Sequence, residues 1–186
     1  WSFDNVKADD IFSAAHRAGM TTAGVFWPVT CNHPHIDYLI GEYWPTHRGE
    51  TAHEALAVAG ASGEILRDIV DKHLPGVILR IHPESDVFVV RCACDILRRY
   101  KPNLLMLHPA DVDGARHHNG AFHEAVKKSV RDTDMYLGML MRAARDQPRE
   151  LVFLRGHHRG DVLAGKSVVK RHPVFERTVP KLGDRR

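Results

Sequence analysis

The alternation of short apolar runs with helical patterns is the feature that most constrains the fold of this chain. Residues 104–107 form a continuous apolar run, and residues 121–145 follow with apolar positions at helical spacing. Residues 151–154 then form a second apolar run. Runs this short are typical of strands buried on both faces, and strands that alternate with helices build parallel sheets. The sequence therefore predicts an α/β fold with a mainly parallel sheet and helices on both faces.

The remaining segments fit the same architecture. Further helices are predicted where apolar residues recur at helical spacing, over residues 11–18, 63–73 and 84–100. Asp9 or Asp10 can cap the first of these helices. Residues 21–27 are predicted to form a strand, whereas residues 28–48 contain three prolines and little periodicity, which indicates a long loop.

The composition says more about the possible chemistry of the chain than about its fold. The 186 residues are enough for one globular unit, and 14 of them are histidines, which are candidate metal ligands or proton carriers. A net charge of +3 without a basic stripe gives little support to nucleic acid as a partner. No apolar run is long enough to span a bilayer, and three cysteines do not suggest a disulfide framework.

Candidate metal ligands follow two of the predicted strands. Asp113 and His117 come after residues 104–107, and their spacing of four lets a carboxylate and an imidazole reach one cation, most naturally zinc, if the turn between them coils. His157 and His158 directly follow residues 151–154. Because parallel strands end at the same edge, two metal ions could share one phosphate there. From spacing alone, Asp113 could equally cap a helix, and the histidines could be solvated.

Four motifs in order resemble the type I phosphodiesterase and nucleotide pyrophosphatase family of the alkaline phosphatase superfamily. They are Val25-Phe26-Trp27-Pro28, Lys101-Pro102-Asn103-Leu104-Leu105, Asp113-x-x-x-His117-x-x-Gly120 and Asp134-x-x-x-Gly138. The resemblance runs from about residue 11 to about residue 174. It implies a partial alkaline-phosphatase-like fold and hydrolysis of phosphodiester or nucleotide pyrophosphate bonds in small-molecule substrates.

The resemblance also implies two divalent metal ions as cofactors, zinc or alternatively manganese. In the family the DxxxHxxG motif supplies two ligands to one ion, which here are Asp113 and His117. An Asp-His pair after the next strand supplies two ligands to the other ion. This chain has His157 and His158 there, within Gly-His-His-Arg instead of the usual Gly-Asp-His-Gly. Imidazole adds no negative charge, so we expect weaker binding at the second site.

The family's nucleophile and a further histidine ligand belong to segments that this sequence does not contain. We therefore expect residues 1–186 to be a single partial domain and this chain alone to be inactive, and we name no nucleophile. In an intact relative the reaction would pass through a phosphoryl-enzyme intermediate. The chain begins at Trp1 and not at Met, so we expect a soluble protein whose N-terminus lies upstream; compartment and oligomeric state are not predicted.

Two aromatic residues are candidate substrate contacts. Trp27 and Tyr38 could stack on a nucleobase, or they could anchor the loop of residues 28–48. Two alternative functions also stay open. The chain could be a noncatalytic or truncated domain that binds a metal or a partner, or it could belong to another branch of the superfamily, such as the phosphomutases, sulfatases or phosphonate hydrolases.

Overall fold

The computed structural model describes residues 1–145, which are organised around three parallel strands. Strand β1 (Thr22–Val25) lies between β2 (Tyr38–Ile40) and β3 (Leu104–Leu107). Val25 is opposite Ile40 on one side and Leu107 on the other, so the three strands end side by side. The predicted α/β class with a parallel sheet is confirmed.

The first helix begins where the sequence predicts it. A 3₁₀ turn (Phe3–Asn5) precedes α1 (Ile11–Arg17). The Asp10 carboxylate accepts hydrogen bonds from the backbone N–H groups of Phe12 at 2.8 Å and Ser13 at 3.0 Å. Two of the unpaired donors at the start of the helix are thereby satisfied, which confirms Asp10 as the cap.

The sequence analysis missed a helix in the middle of the chain, and it also predicted no helix over residues 111–119. Helix α2 (Ala52–Val58) begins with a capping box, in which Thr51 and Glu54 each bond to the other's backbone N–H group. The Thr51-x-x-Glu54 spacing was the available signal. The predicted helix over residues 63–73 is confirmed as a continuous segment made of α3 (Gly63–Ile65), a π-helix (Leu66–Val70) and α4 (Asp71–His73).

Three longer helices complete the described chain. Helix α5 (Glu84–Tyr100) has the predicted bounds, α6 (Asp111–Asn119) follows β3, and α7 (Glu124–Arg145) begins three residues later than expected. In the part of the chain that the structure describes, no helix has the length and apolar character needed to cross a membrane.

Helices cover both faces of the sheet, as predicted. On one face, Phe12 of α1 packs with Ile36 and Leu39, and Leu104 and Met106 of β3 lie against this cluster. Tyr38 points the other way because successive strand residues alternate between faces. Its ring stacks on Tyr100 of α5 at 4.3 Å between centroids, which places α5 on the second face.

Two expectations about the strands were wrong. The predicted loop of residues 28–48 contains β2, a strand of only three residues that exists because it pairs with β1 and that leaves no periodic signal. Strand β3 was expected to be buried on both faces, but all four of its residues are only half-buried. Among the described residues it pairs with β1 alone, so one of its edges is uncovered there. Residues 151–154 lie outside the described residues.

The end of α5 gives a test of this backbone. Lys101 has φ 51° and ψ 52°, the left-handed conformation that disfavours any residue with a Cβ atom, and Pro102 follows it. Lys101→Gly should therefore raise the free energy of unfolding by about 1 kcal/mol in urea denaturation, whereas Lys101→Ala should bring no such gain. Equal stability of the glycine and alanine variants would contradict the left-handed assignment.

Candidate active site

The carboxyl ends of the three strands form one edge of the sheet, which we call the carboxyl edge: Phe26 and Trp27 after β1, Gly41 and Glu42 after β2, and His108 after β3. Backbone hydrogen bonds continue past the strand ends. The N–H of Phe26 donates to the carbonyl of Ile40 at 2.7 Å, and the N–H of His108 donates to the carbonyl of Val25 at 3.2 Å. This is the edge where open α/β sheets bind their ligands.

The start of α6 at this edge is held by a buried carboxylate from another helix. Asp86 of α5 is 1% exposed and accepts hydrogen bonds from the backbone N–H groups of Ala110 and Asp111, both at 3.0 Å. Ala110 has no side-chain cap of its own to offer, so Asp86 takes over that role. The junction between β3 and α6 is therefore fixed by a contact 24 residues distant in sequence.

His82 completes the group of polar side chains around Asp86. Its Nδ1 lies 2.8 Å from Asp86 Oδ1, and this hydrogen bond raises the pKa of His82. Burial raises the pKa of the neighbouring Asp111, and the charge of Asp86 adds to that effect. A cation at His82 thus offsets part of the negative charge that Asp86 and Asp111 bring together.

Asp113 and His117 are brought together by α6. Four residues apart on one helix, they place Asp113 Oδ2 and His117 Nε2 at 3.4 Å, with 47% and 77% of their side chains exposed. Two ligands about 2.0–2.1 Å from a tetrahedral zinc ion would lie at about this separation. The oxygen and nitrogen donors therefore fit two ligands of one divalent ion.

The residues that the structure describes form no complete metal site. Within residues 1–145, no three His, Cys, Asp or Glu side chains come close enough together to hold a metal ion. His157 and His158 lie outside the described residues, so their placement stays a prediction.

A second acid and histidine meet at the carboxyl edge beside this helix. Glu42 Oε1 lies 3.9 Å from Nδ1 of His108, a buried atom with no hydrogen-bond partner among the described residues. Burial raises the pKa of Glu42. Nearby, the guanidinium carbon of Arg80 lies 4.8 Å from the centroid of the Trp44 ring. The edge therefore carries polar groups besides those on α6.

The two aromatic candidates occupy different ends of the sheet. Trp27 follows β1 at the carboxyl edge, where it is half-buried against the cluster that contains Phe12 and Leu39. Tyr38 begins β2 at the opposite end, and its ring stacks on Tyr100. The structure thus brings Trp27, but not Tyr38, to the edge from which α6 starts.

Sequence reasoning missed Glu42, Arg80 and Asp86. Glu42 lies after a strand that was itself not predicted, and Arg80 precedes α5 without any motif around it. Asp86 occupies the first turn of α5, where an acidic residue is expected for its own helix. No local pattern in the sequence signals that it serves a different helix.

Removal of the Asp86 carboxylate tests its role as the cap of α6. Asp86→Ala would leave two partly buried N–H donors without an acceptor, so the free energy of unfolding should fall by about 2–4 kcal/mol in urea denaturation. Hydrogen exchange of the first α6 amides should accelerate as well. Asp9→Ala, which removes a carboxylate from an exposed ion pair with Arg17, serves as the control and should change little. Equal effects of the two substitutions would contradict the assigned role.

The raised pKa of His82 predicts a pH dependence. A histidine whose pKa is higher in the folded protein contributes stability that is complete below its ordinary pKa of about 6.5 and is lost as the pH rises through the folded value. His82→Gln should thus destabilise the protein more at pH 5.5 than at pH 8.5, as measured by urea unfolding of both proteins. A difference that does not change with pH would contradict the ion pair with Asp86.

Comparison with known protein families identifies this chain's family. The family model described as type I phosphodiesterase / nucleotide pyrophosphatase matches residues 2–158. This range covers all described strands and helices from β1 onward as well as Asp113, His117 and the histidines at 157 and 158. No curated protein and no solved structure gives a significant match. Because the family model spans most of the sequence, the chain belongs to the type I phosphodiesterase/nucleotide pyrophosphatase family.

Proposed function

We propose that this chain carries part of a metal-dependent site that hydrolyses phosphodiester or nucleotide pyrophosphate bonds in small-molecule substrates. The observation that supports the proposal most is the 3.4 Å separation of Asp113 Oδ2 and His117 Nε2 on an exposed face of α6. This helix starts at the carboxyl edge of a parallel sheet in a member of a phosphodiesterase family. Family and geometry therefore favour the same chemistry at the same place.

Asp113 and His117 would hold one divalent ion. When bound, such ions supply Lewis-acid polarisation of phosphoryl oxygens. Asp113 contributes a negative charge to the ion, and His117 contributes a neutral nitrogen, which requires an unprotonated imidazole. Asp86 would not bind the ion itself. It would support the two ligands, because it fixes the first turn of the helix that presents them.

The roles of the other predicted site residues stay proposals. His157 and His158 would serve a second divalent ion, with the weaker affinity that follows from an imidazole in place of a carboxylate. Trp27 is the proposed substrate contact, because it follows β1 at the carboxyl edge. For Tyr38 we favour the anchoring role that the sequence left open, because its ring is already stacked on Tyr100. No residue is assigned as the nucleophile.

A noncatalytic metal-binding domain is the second candidate. Gly156-His157-His158-Arg159 departs from the Gly-Asp-His-Gly that the resemblance implies at two positions, and His157 replaces the carboxylate of the second site by an imidazole. One ion held by α6 without turnover would fit this candidate. Turnover by the metal-loaded chain would exclude this candidate, whereas bound metal without turnover fits both candidates.

Metal binding tests the proposed role of α6. The 186-residue chain should bind zinc or manganese in equilibrium dialysis, and Asp113→Ala or His117→Ala should weaken that binding by more than about tenfold, because even groups that only support metal ligands often matter this much. His118→Ala is the matched control, since His118 lies on the same helix and its Nδ1 bonds to the carbonyl of Gly114 at 2.7 Å. If all three variants retain wild-type affinity, Asp113 and His117 are not ligands.

Hydrolysis of bis-p-nitrophenyl phosphate by the metal-loaded chain is measured alongside. Bound metal without turnover is the expected result, since no residue of this chain is assigned as the nucleophile. Turnover that disappears in Asp113→Ala would support the hydrolytic function and contradict the expectation that this chain alone is inactive.

A further inference from the structure

A cavity of about 350 Å³ lies between α4, α5 and α7, on a part of the molecule that the proposed function does not use. Helix α5 lines it with Arg91, Asp95 and Arg98, which fall on one stripe because they are four and three residues apart. Helix α7 lines the opposite side with Met139 and Arg142. Three guanidinium groups from two helices thus surround one opening.

The only carboxylate among these lining residues is already engaged. Asp95 Oδ2 lies 3.0 Å from His73 Nε2 and 3.5 Å from Lys72 Nζ, and Asp95 Oδ1 lies 3.4 Å from Arg98. Although burial acts in the opposite direction, the contacts with His73 and Lys72 hold the pKa of Asp95 below its ordinary value. The Asp95 carboxylate is therefore paired with side chains on the α4 side of the cavity.

Arg91 and Arg142 have no such partner within residues 1–145. Arg98 is the one lining arginine that forms an ion pair with a carboxylate of residues 1–145, and neither Arg91 nor Arg142 does so there. Beneath the guanidinium groups, the buried Cys94 and the half-buried Met139 provide a less polar wall. The cavity therefore combines a surplus of positive charge with a less polar wall.

This combination suits an oxyanion. A guanidinium group presents a planar fork of N–H donors that matches phosphate geometry, and two forks can bind one phosphate from opposite sides. The volume lies within the range of pockets that take small ligands. We propose that the cavity between α5 and α7 binds a small phosphate-containing anion through Arg91 and Arg142.

The proposed anion site is separate from the carboxyl edge. Asp86, at the start of α5, contacts α6, whereas Arg91 and Arg98 lie 5 and 12 residues further along the same helix. At about 1.5 Å per residue these positions are about 7–18 Å from Asp86 along the helix axis. The cavity shares no lining residue with the α6 pair, so its ligand binding does not depend on the proposed hydrolytic function.

Calorimetric titration of the 186-residue chain in EDTA tests this proposal, because the chelator removes divalent ions through which phosphate could bind at α6. Inorganic phosphate, pyrophosphate and adenosine monophosphate are the three probes, and they separate free phosphate from a nucleotide as the source of the anion. We expect saturable binding of at least one probe. Arg91→Gln and Arg142→Gln should each weaken it by about tenfold, and Arg142→Lys should weaken it less, because it keeps the charge but loses the fork.

Arg131→Gln is the matched control, since Arg131 is an exposed arginine of α7 that does not line the cavity. It should change the affinity by less than about twofold. Absence of saturable binding by the wild-type chain would overturn the proposal, and so would equal affinities of the Arg91, Arg142 and Arg131 variants with unchanged circular dichroism. Loss of binding in Asp113→Ala would place the anion on α6 and would overturn it as well.

Discussion

The hydrogen bonds that the buried carboxylate of Asp86 accepts from Ala110 and Asp111 hold the candidate site in place. Without them, the first turn of α6 would have unpaired donors in a partly buried position, and nothing else in residues 1–145 caps it. Strand β3 is held by its pairing with β1 and leads to this point, and the contact with α5 sets where α6 begins. The geometry of Asp113 and His117 thus depends on packing between α5 and β3 as much as on α6 itself.

Much of the fold follows from local patterns. The helical spacing of residues 84–100 and the apolar run at 104–107 predict α5 and β3 with the observed bounds, and Asp10 caps α1 as expected. Strand β2 and the half-buried state of β3 escape prediction for a common reason. A strand of three residues depends on a neighbour, and the burial of a strand depends on what lies beside it, so neither is determined by the local sequence.

Some residues of the candidate site can likewise be predicted from local spacing, and others cannot. The spacing of Asp113 and His117 predicts their proximity if the segment coils, and α6 meets that condition, because four residues are about one helical turn. Glu42 and Asp86 meet residues of the β3–α6 segment through contacts distant in sequence, which no spacing reveals. Tyr38 shows how the partner of a stacking residue depends on the fold, because its ring stacks on Tyr100 of α5. The type of side chain indicates the interaction, and the topology decides the partner.

The central claim is that α6 presents Asp113 and His117 as ligands of one divalent ion at the carboxyl edge of a phosphodiesterase-family sheet. Anomalous diffraction at the zinc absorption edge, from crystals of the 186-residue chain grown with zinc, tests it most directly. The account predicts a peak about 2.0–2.1 Å from both Asp113 Oδ2 and His117 Nε2. Zinc bound only elsewhere, with the two side chains in contact with each other and not with metal, would contradict it.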